Sequence, residues 1–188
     1  MKIISLYGPQ QAGKSEAAKA IATLPRWTHL SFAQPLYDMM SALLGTDARQ
    51  LDKSMPNSAL CGKTLRHALQ TLGTEWGRGK IGDTIWLNAM DAAITRSQAR
   101  GWEGVVIDDL RFMNEYQFLR ERGATIIRIE REGCLIPTLN QGHASEHDWC
   151  DFKYDHKVLN HKSILSLADV VCDIAEGAPH AERTAARA

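Results

Sequence analysis

The chain has 188 residues with 22 Lys and Arg against 22 Asp and Glu, so it carries no net charge and has length for one domain that buries roughly 70% of its unfolded surface. That balance excludes the cationic excess by which general polynucleotide binders and anionic-membrane binders hold their partners, and no apolar run approaches the roughly 20 residues that cross a bilayer. Cys61, Cys134, Cys150 and Cys172 are scattered without a C-x-x-C pair, and the amino end lacks the apolar core of a secretory signal, which points to a reducing cytoplasm.

Ile3 to Tyr7 reads as a short buried strand. Directly after it, Gly8-Pro9-Gln10-Gln11-Ala12-Gly13-Lys14-Ser15 matches the phosphate-binding pattern G-x-x-x-x-G-K-[ST], and an alanine-rich helix from about Lys14 to Leu24 follows and stops at Pro25. The pattern has a physical basis only in that setting. Between a strand and a helix, backbone N–H groups and the positive helix end converge on one anion. Glycines permit the close approach, Lys14 reaches the β- and γ-phosphates of a nucleoside triphosphate, and the Ser15 hydroxyl ligates Mg²⁺. Gly8, Gln11, Ala12, Gly13, Lys14, Ser15 and the first-turn Glu16 therefore make up the expected nucleoside triphosphate site.

Farther along, a helix is expected from about Pro35, with Leu36, Met39, Met40 and Leu43 at helical spacing and Gly45 as its stop. Thr64 to Trp76 predicts an amphipathic helix whose apolar stripe is Leu65, Ala68, Leu69, Leu72 and Trp76, with Arg66 and Gln70 on a neighbouring polar face. Thr84 to Ala99 predicts another helix, and Val105 to Ile107 a fully buried strand that delivers Asp108 and Asp109 at its C-terminal end, where open α/β sheets place ligands. A helix over about Asn114 to Arg122 closed by Gly123, a strand over Ala124 to Ile129, a last short strand at Val158 and Leu159, and a helix from about Ser163 to Ala175 complete the pattern. Strands alternating with helices predict a three-layer αβα fold around a central parallel sheet, as one domain over residues 1–175. Residues 131–153 are polar and aperiodic and suggest a short lid, and 176–188 suggest a disordered tail.

A phosphate loop alone does not name a reaction. The chain lacks an N-K-x-D guanine reader, a D-x-x-G switch and an L-S-G-G-Q signature, and it is too short for a two-lobed motor, which leaves small phosphotransferases. Such an enzyme must hold a second anion and neutralise the charge of the group in flight. Arg66, Arg78, Arg111 and Arg131 are the candidates. Arg111 is the best placed, leaving a strand end with Asp109 two residues before it, where a guanidinium forks onto phosphate while the carboxylate engages a sugar hydroxyl or the Mg²⁺ shell. Phe32 is the aromatic expected near the acceptor nucleotide, whereas Trp76 and Trp86 sit on apolar stripes and are expected in the core.

GPQQAGKS, SFAQPLYDMM at 31–40, GKTLRHALQTLGTEWGR at 62–78 with Trp86 beyond, VVIDDLRFMNEYQFLRERGATIIRIER at 105–131 and HASE at 143–146 together resemble the deoxynucleoside monophosphate kinases of tailed bacteriophages, a branch of the P-loop kinases. The resemblance implies transfer of the γ-phosphate of ATP, with Mg²⁺, to a deoxynucleoside monophosphate (dNMP), in the host cytoplasm if the chain is phage-encoded. It implies that Lys14, Asp109, Arg111 and Arg131 act on the transferred group, with Arg128 a further lid candidate, and that Arg66, Gln70 and Arg78 join Phe32, Asp109 and Arg111 at the acceptor. It also makes a homodimer an expectation. The chain departs from the family in having Gln34 where an acidic residue is usual and Leu65 where proline is frequent.

Two other activities fit a phosphate loop. One is phosphorylation of a hydroxylated base within DNA, which the neutral charge disfavours; the other is a nucleotide-binding module without catalysis. His143-Ala144-Ser145-Glu146-His147 spells the zinc pattern H-x-x-E-H near Cys134 and Cys150, but it follows Gly142 and lacks the apolar stripe of a stable helix, so a polar kinase lid explains it better.

Overall fold

A computed structural model describes residues 1–131, 152–161 and 164–177. Most of the segment expected to form a lid, with the H-x-x-E-H pattern, Cys134 and Cys150, and residues 178–188 of the expected tail lie outside the described residues. Two compact units emerge: Met1–Leu30 with the chain from Ile94 onward, and Ser31–Ala93 between them.

The first unit is built on five parallel strands, β1 (Lys2–Tyr7), β2 (Trp27–Leu30), β3 (Gly104–Ile107), β4 (Thr125–Arg131) and β5 (His156–Asn160), in the order β2-β3-β1-β4-β5. With every strand parallel, all C-terminal ends share one edge. The chain leaves central β1 towards β2 on one side and later adds β4 and β5 on the other, so the loop after β1 opens where the winding reverses.

Alternation of side chains divides the strands between two faces. Ile4, Leu6, Val106, Ile127, Ile129 and Val158 pack against Ala17, Ala18 and Ile21 of α1 (Lys14–Ala22) and Leu167, Val171 and Ile174 of α6 (Ile164–Glu176). On the other face, Tyr7 meets Phe152 edge-on at 5.4 Å, and Phe152 stacks on Tyr116 of α5 (Met113–Glu121) at 4.8 Å. Helix layers on both faces of a parallel sheet are the expected fold.

The second unit holds α2 (Gln34–Leu44), ended by Gly45 in the left-handed conformation, then α3 (Leu65–Gln70) and a π-helix over Thr71–Ile81. Met40, Ala48 and Leu65 form its core. Leu65 starts α3 without proline because Thr64 caps it, its Oγ1 accepting the His67 N–H at 3.1 Å. α4 (Ile85–Ala99) carries the chain back to the first unit. Among the described residues no helix is long and apolar enough to cross a membrane.

Three expectations are corrected. β2 was not anticipated: it spans four residues and mixes exposed and buried positions, so its identity rests on pairing with β3, where Trp27 stands opposite Gly104 and a Cβ on Gly104 would strike the indole. The amphipathic helix expected over Thr64–Trp76 changes at Thr71 from α to π geometry. Trp76, expected in the core, is 39% exposed, because a π turn takes more residues per revolution and side chains beyond Thr71 drift out of a stripe counted at 3.6. Trp86 is buried as expected.

Candidate active site

The loop after β1 has the backbone that its glycines permit. Gly8 (φ +140) and Gly13 (φ +103) lie in the left-handed half of backbone space, and Gln11 joins them at φ +64. A Cβ on Gly8 would run into the Ile129 carbonyl, and one on Gly13 would lie 2.6 Å from Asn160 Nδ2. Gly13 caps α1, its carbonyl accepting the Ala17 N–H at 2.9 Å. From β5, Asn160 donates to the buried Ala12 carbonyl at 2.9 Å and pins the loop to the sheet edge. Lys14 Nζ curls over the loop and donates to the carbonyls of Gly8 at 2.9 Å and Pro9 at 2.7 Å. Glu16 points away along α1 and pairs with Lys19 at 2.8 Å on the surface.

At the end of β3, Asp108 faces this loop. Burial alone would raise its pKa, yet hydrogen bonding and charge from His29 and a hydrogen bond from the Ser15 hydroxyl hold the carboxyl below its ordinary value. The His29 Nε2 to Asp108 Oδ1 distance is 2.7 Å. Neither residue was singled out from sequence for this role, where Asp109 was preferred. His29 sits on the unanticipated β2, opposite Val106 of β3, so only the sheet register brings it beside Asp108. The signal was present in Trp27-Thr28-His29-Leu30, an aromatic and β-branched run after Pro25. Ser15 Oγ and Asp108 present hard oxygen donors side by side. That small set fits Mg²⁺, which retains water and takes few protein ligands, and no cluster of three His, Cys, Asp or Glu suited to another metal occurs among the described residues.

Asp109 is half-buried and Arg111 exposed, one residue and three residues past Asp108. Their turn is held by Glu115, itself buried, whose Oε2 accepts the backbone N–H groups of Arg111 at 2.9 Å and Phe112 at 3.1 Å. Glu115 thus caps the start of α5 and fixes the strand-end turn with one oxygen. Arg131 ends β4, exposed, opposite Asn160. Arg128 lies three residues earlier, on the opposite face of the strand, with its Nε 2.7 Å from Glu130 Oε1.

In the second unit Arg66 and Gln70 are exposed on α3, and Arg78 is half-buried on the π-helix, its guanidinium 3.5 Å from the Asp83 carbonyl. Gln34, standing where the resembling family has an acid, donates its amide to Asp38 at 2.8 Å. Phe32 is buried just ahead of α2. The loop and the strand end with Asp108 and Asp109 were legible in the sequence, whereas His29 and Glu115 were not.

A strand-end carboxylate hydrogen-bonded to a serine of the glycine-framed loop lies at the C-terminal edge of the parallel sheet. The family model for deoxynucleotide monophosphate kinase matches residues 55–171. A protein of Acanthamoeba polyphaga mimivirus named "Putative deoxynucleotide monophosphate kinase" is 30% identical over 180 residues, covering 87% of this chain and 91% of its own. The unliganded crystal structure of a sugar kinase from Janibacter sp. HTCC2649 aligns over 96% of this chain and 99% of its own at 12% identity and a TM-score of 0.47, a likeness too loose to carry argument. The chain belongs to the deoxynucleotide monophosphate kinase family, and it is a phosphotransferase acting on a small nucleotide.

Proposed function

We propose that this enzyme transfers the γ-phosphoryl group of ATP to the phosphate of a dNMP, giving ADP and a deoxynucleoside diphosphate. The Ser15–Asp108 bond beside the glycine-framed loop carries the reading, because a polarised hydroxyl and a charged carboxylate at that point suit a triphosphate with its cation. Ser15 and Asp108 would hold Mg²⁺ there, and the ion would supply positive charge to offset that of the phosphates. Lys14, which the loop carbonyls already hold within reach, places its ammonium on the β- and γ-phosphates. The bond from the γ-phosphorus to the oxygen of departing ADP breaks as a bond to an acceptor phosphate oxygen forms, and positioning with charge neutralisation supplies the catalysis.

Arg66, Gln70 and Arg78 take the acceptor in this reading, Asp109 and Arg111 its phosphate side, and Arg131 the group in flight. Phe32, buried just ahead of α2, belongs to the acceptor side in the same reading. A bacteriophage or other viral origin, action in the host cytoplasm and a homodimer belong to the same proposal. The experiment is a panel of dNMPs, including 5-substituted pyrimidines, with Mg-ATP and with hydroxymethylated DNA as a separate arm, scored by product mass. A dNDP product supports the proposal; label entering only DNA, or no dNMP-dependent turnover, overturns it.

A further inference from the structure

The π-helix over Thr71–Ile81 is the most unusual backbone among the described residues. The i→i+5 geometry is rare, occurs mostly as single turns and concentrates at functional sites, so eleven consecutive residues of it require a stabiliser. The stabiliser is Trp86. A short link, in which the Gly82 N–H donates to the Gly77 carbonyl at 2.9 Å and the Ile85 N–H to the Gly82 carbonyl at 3.1 Å, turns the chain so that Trp86 at the start of α4 reaches back to the π-helix. Trp86, on the first turn of α4, is 5% exposed, and its indole Nε1 donates to the Gly73 carbonyl at 2.8 Å.

Gly77 makes room for that ring, and Gly73 for Leu36 of α2. A Cβ on Gly77 would lie inside contact distance of three indole atoms of Trp86, the nearest being Cζ2, and one on Gly73 would press on Leu36 Cδ1 at 3.1 Å. An i→i+5 repeat pairs residue 73 with residue 78. The indole N–H thus reaches a carbonyl that the i→i+5 repeat sets opposite the Arg78 N–H. Gly77, under the ring, is the residue directly before Arg78. The side chain of Arg78 leaves a backbone whose pitch is set on both sides by one tryptophan.

We infer that Trp86 is a positioning residue: its indole, seated on Gly73 and Gly77, holds the π geometry that aims Arg78 at the acceptor monophosphate. The inference rests on the proposed function for the identity of the acceptor, and on the Trp86 contacts alone for the lock. Without the indole N–H the turn relaxes towards α geometry, and Arg78 rotates about the helix axis away from its site. The ATP loop, built on β1 and α1 in the other unit, is left as it was.

The test compares Trp86→Phe, which keeps most of the ring volume and removes the N–H, with Gly77→Ala, which displaces the ring. Amide hydrogen exchange reads the lock, and steady-state kinetics with dNMP and Mg-ATP varied separately read its use. Both variants are expected to exchange at least about tenfold faster over residues 71–82 and to raise KM for the dNMP about tenfold, with KM for ATP within twofold of the parent. Arg78→Ala combined with Trp86→Phe should lose no more than Arg78→Ala alone, since one acts through the other. If Gly77→Ala does not fold, Trp86→Phe and the double variant decide the matter. Unchanged exchange, equal rises in both KM values, or additive losses in the double variant would overturn the inference. A parent enzyme that turns over no dNMP overturns the proposed function instead, which the exchange measurement distinguishes.

Discussion

Replacing Glu115 separates the turn that presents Arg111 from Arg111 itself. One buried carboxylate oxygen accepts two backbone N–H groups, from Arg111 at 2.9 Å and Phe112 at 3.1 Å. Hydrogen bonds to a charged acceptor contribute about 1.5–3 kcal/mol each, so Glu115→Ala should cost about 3 kcal/mol or more. For a chain of this length that lowers Tm by roughly 6–12 °C. Because the same oxygen serves both amides, Glu115→Gln retains an acceptor in place and should lose about half as much. Glu115→Asp, one methylene short, should behave like the alanine variant. Calorimetry supplies Tm, and initial rates at a permissive temperature should show KM for the dNMP rising while KM for ATP holds. An alanine variant melting within about 2 °C of the parent, or a glutamine variant as damaged as alanine, would refute the reasoning.

Lys14→Ala should lower kcat by about 10²–10³-fold while shifting Tm by no more than a few degrees, because its ammonium bonds to the Gly8 and Pro9 carbonyls stay within its own loop; normal turnover in a stopped assay would contradict the assigned role. Asp108→Asn should raise the Mg²⁺ concentration for half-maximal rate by at least about tenfold, measured by metal titration at fixed ATP, and an unchanged titration would remove Asp108 from the site. Tyr7 is fully buried, with its hydroxyl donating to the Phe152 carbonyl at 3.1 Å, and burial pushes its pKa up to about 12 from 10.0. An acid whose folded pKa is raised contributes stability that is complete below its unfolded pKa of 10.0 and is lost as pH climbs towards 12, here about 2–3 kcal/mol. Urea midpoints between pH 9 and pH 11 should therefore fall more steeply in the parent than in Tyr7→Phe, and parallel slopes would exclude Tyr7 as the source.

What the sequence made legible was local. Gly8 to Ser15 carries its own strand, turn and helix signals, Val105 to Ile107 is continuously apolar, and Gly45 and Gly123 mark helix ends, so these elements could be placed from neighbours alone. The lost elements depend on partners distant in the chain. β2 is a strand because β3 pairs with it, and the π-helix carries a contact no local pattern shows, the Trp86 indole on the Gly73 carbonyl and against Gly77. The site follows the same division. Lys14 and Ser15 came from spacing, whereas choosing Asp108 over Asp109 required knowing which of two adjacent carboxylates faces the loop, and His29 reaches Asp108 across 79 residues of sequence. Glu115 was visible inside DLRFMNE, but its task is to hold backbone, which no motif records.

The central claim is a phosphoryl group moving from ATP to the phosphate of a free deoxynucleotide. Phosphorus-31 NMR of the enzyme with Mg-ATP and its preferred dNMP tests it most directly, since every product has its own resonance. The account predicts that ADP and the dNDP appear together in equal amounts, and that neither forms when the dNMP is withheld. Release of inorganic phosphate in place of a dNDP, at a rate indifferent to the dNMP, would contradict it.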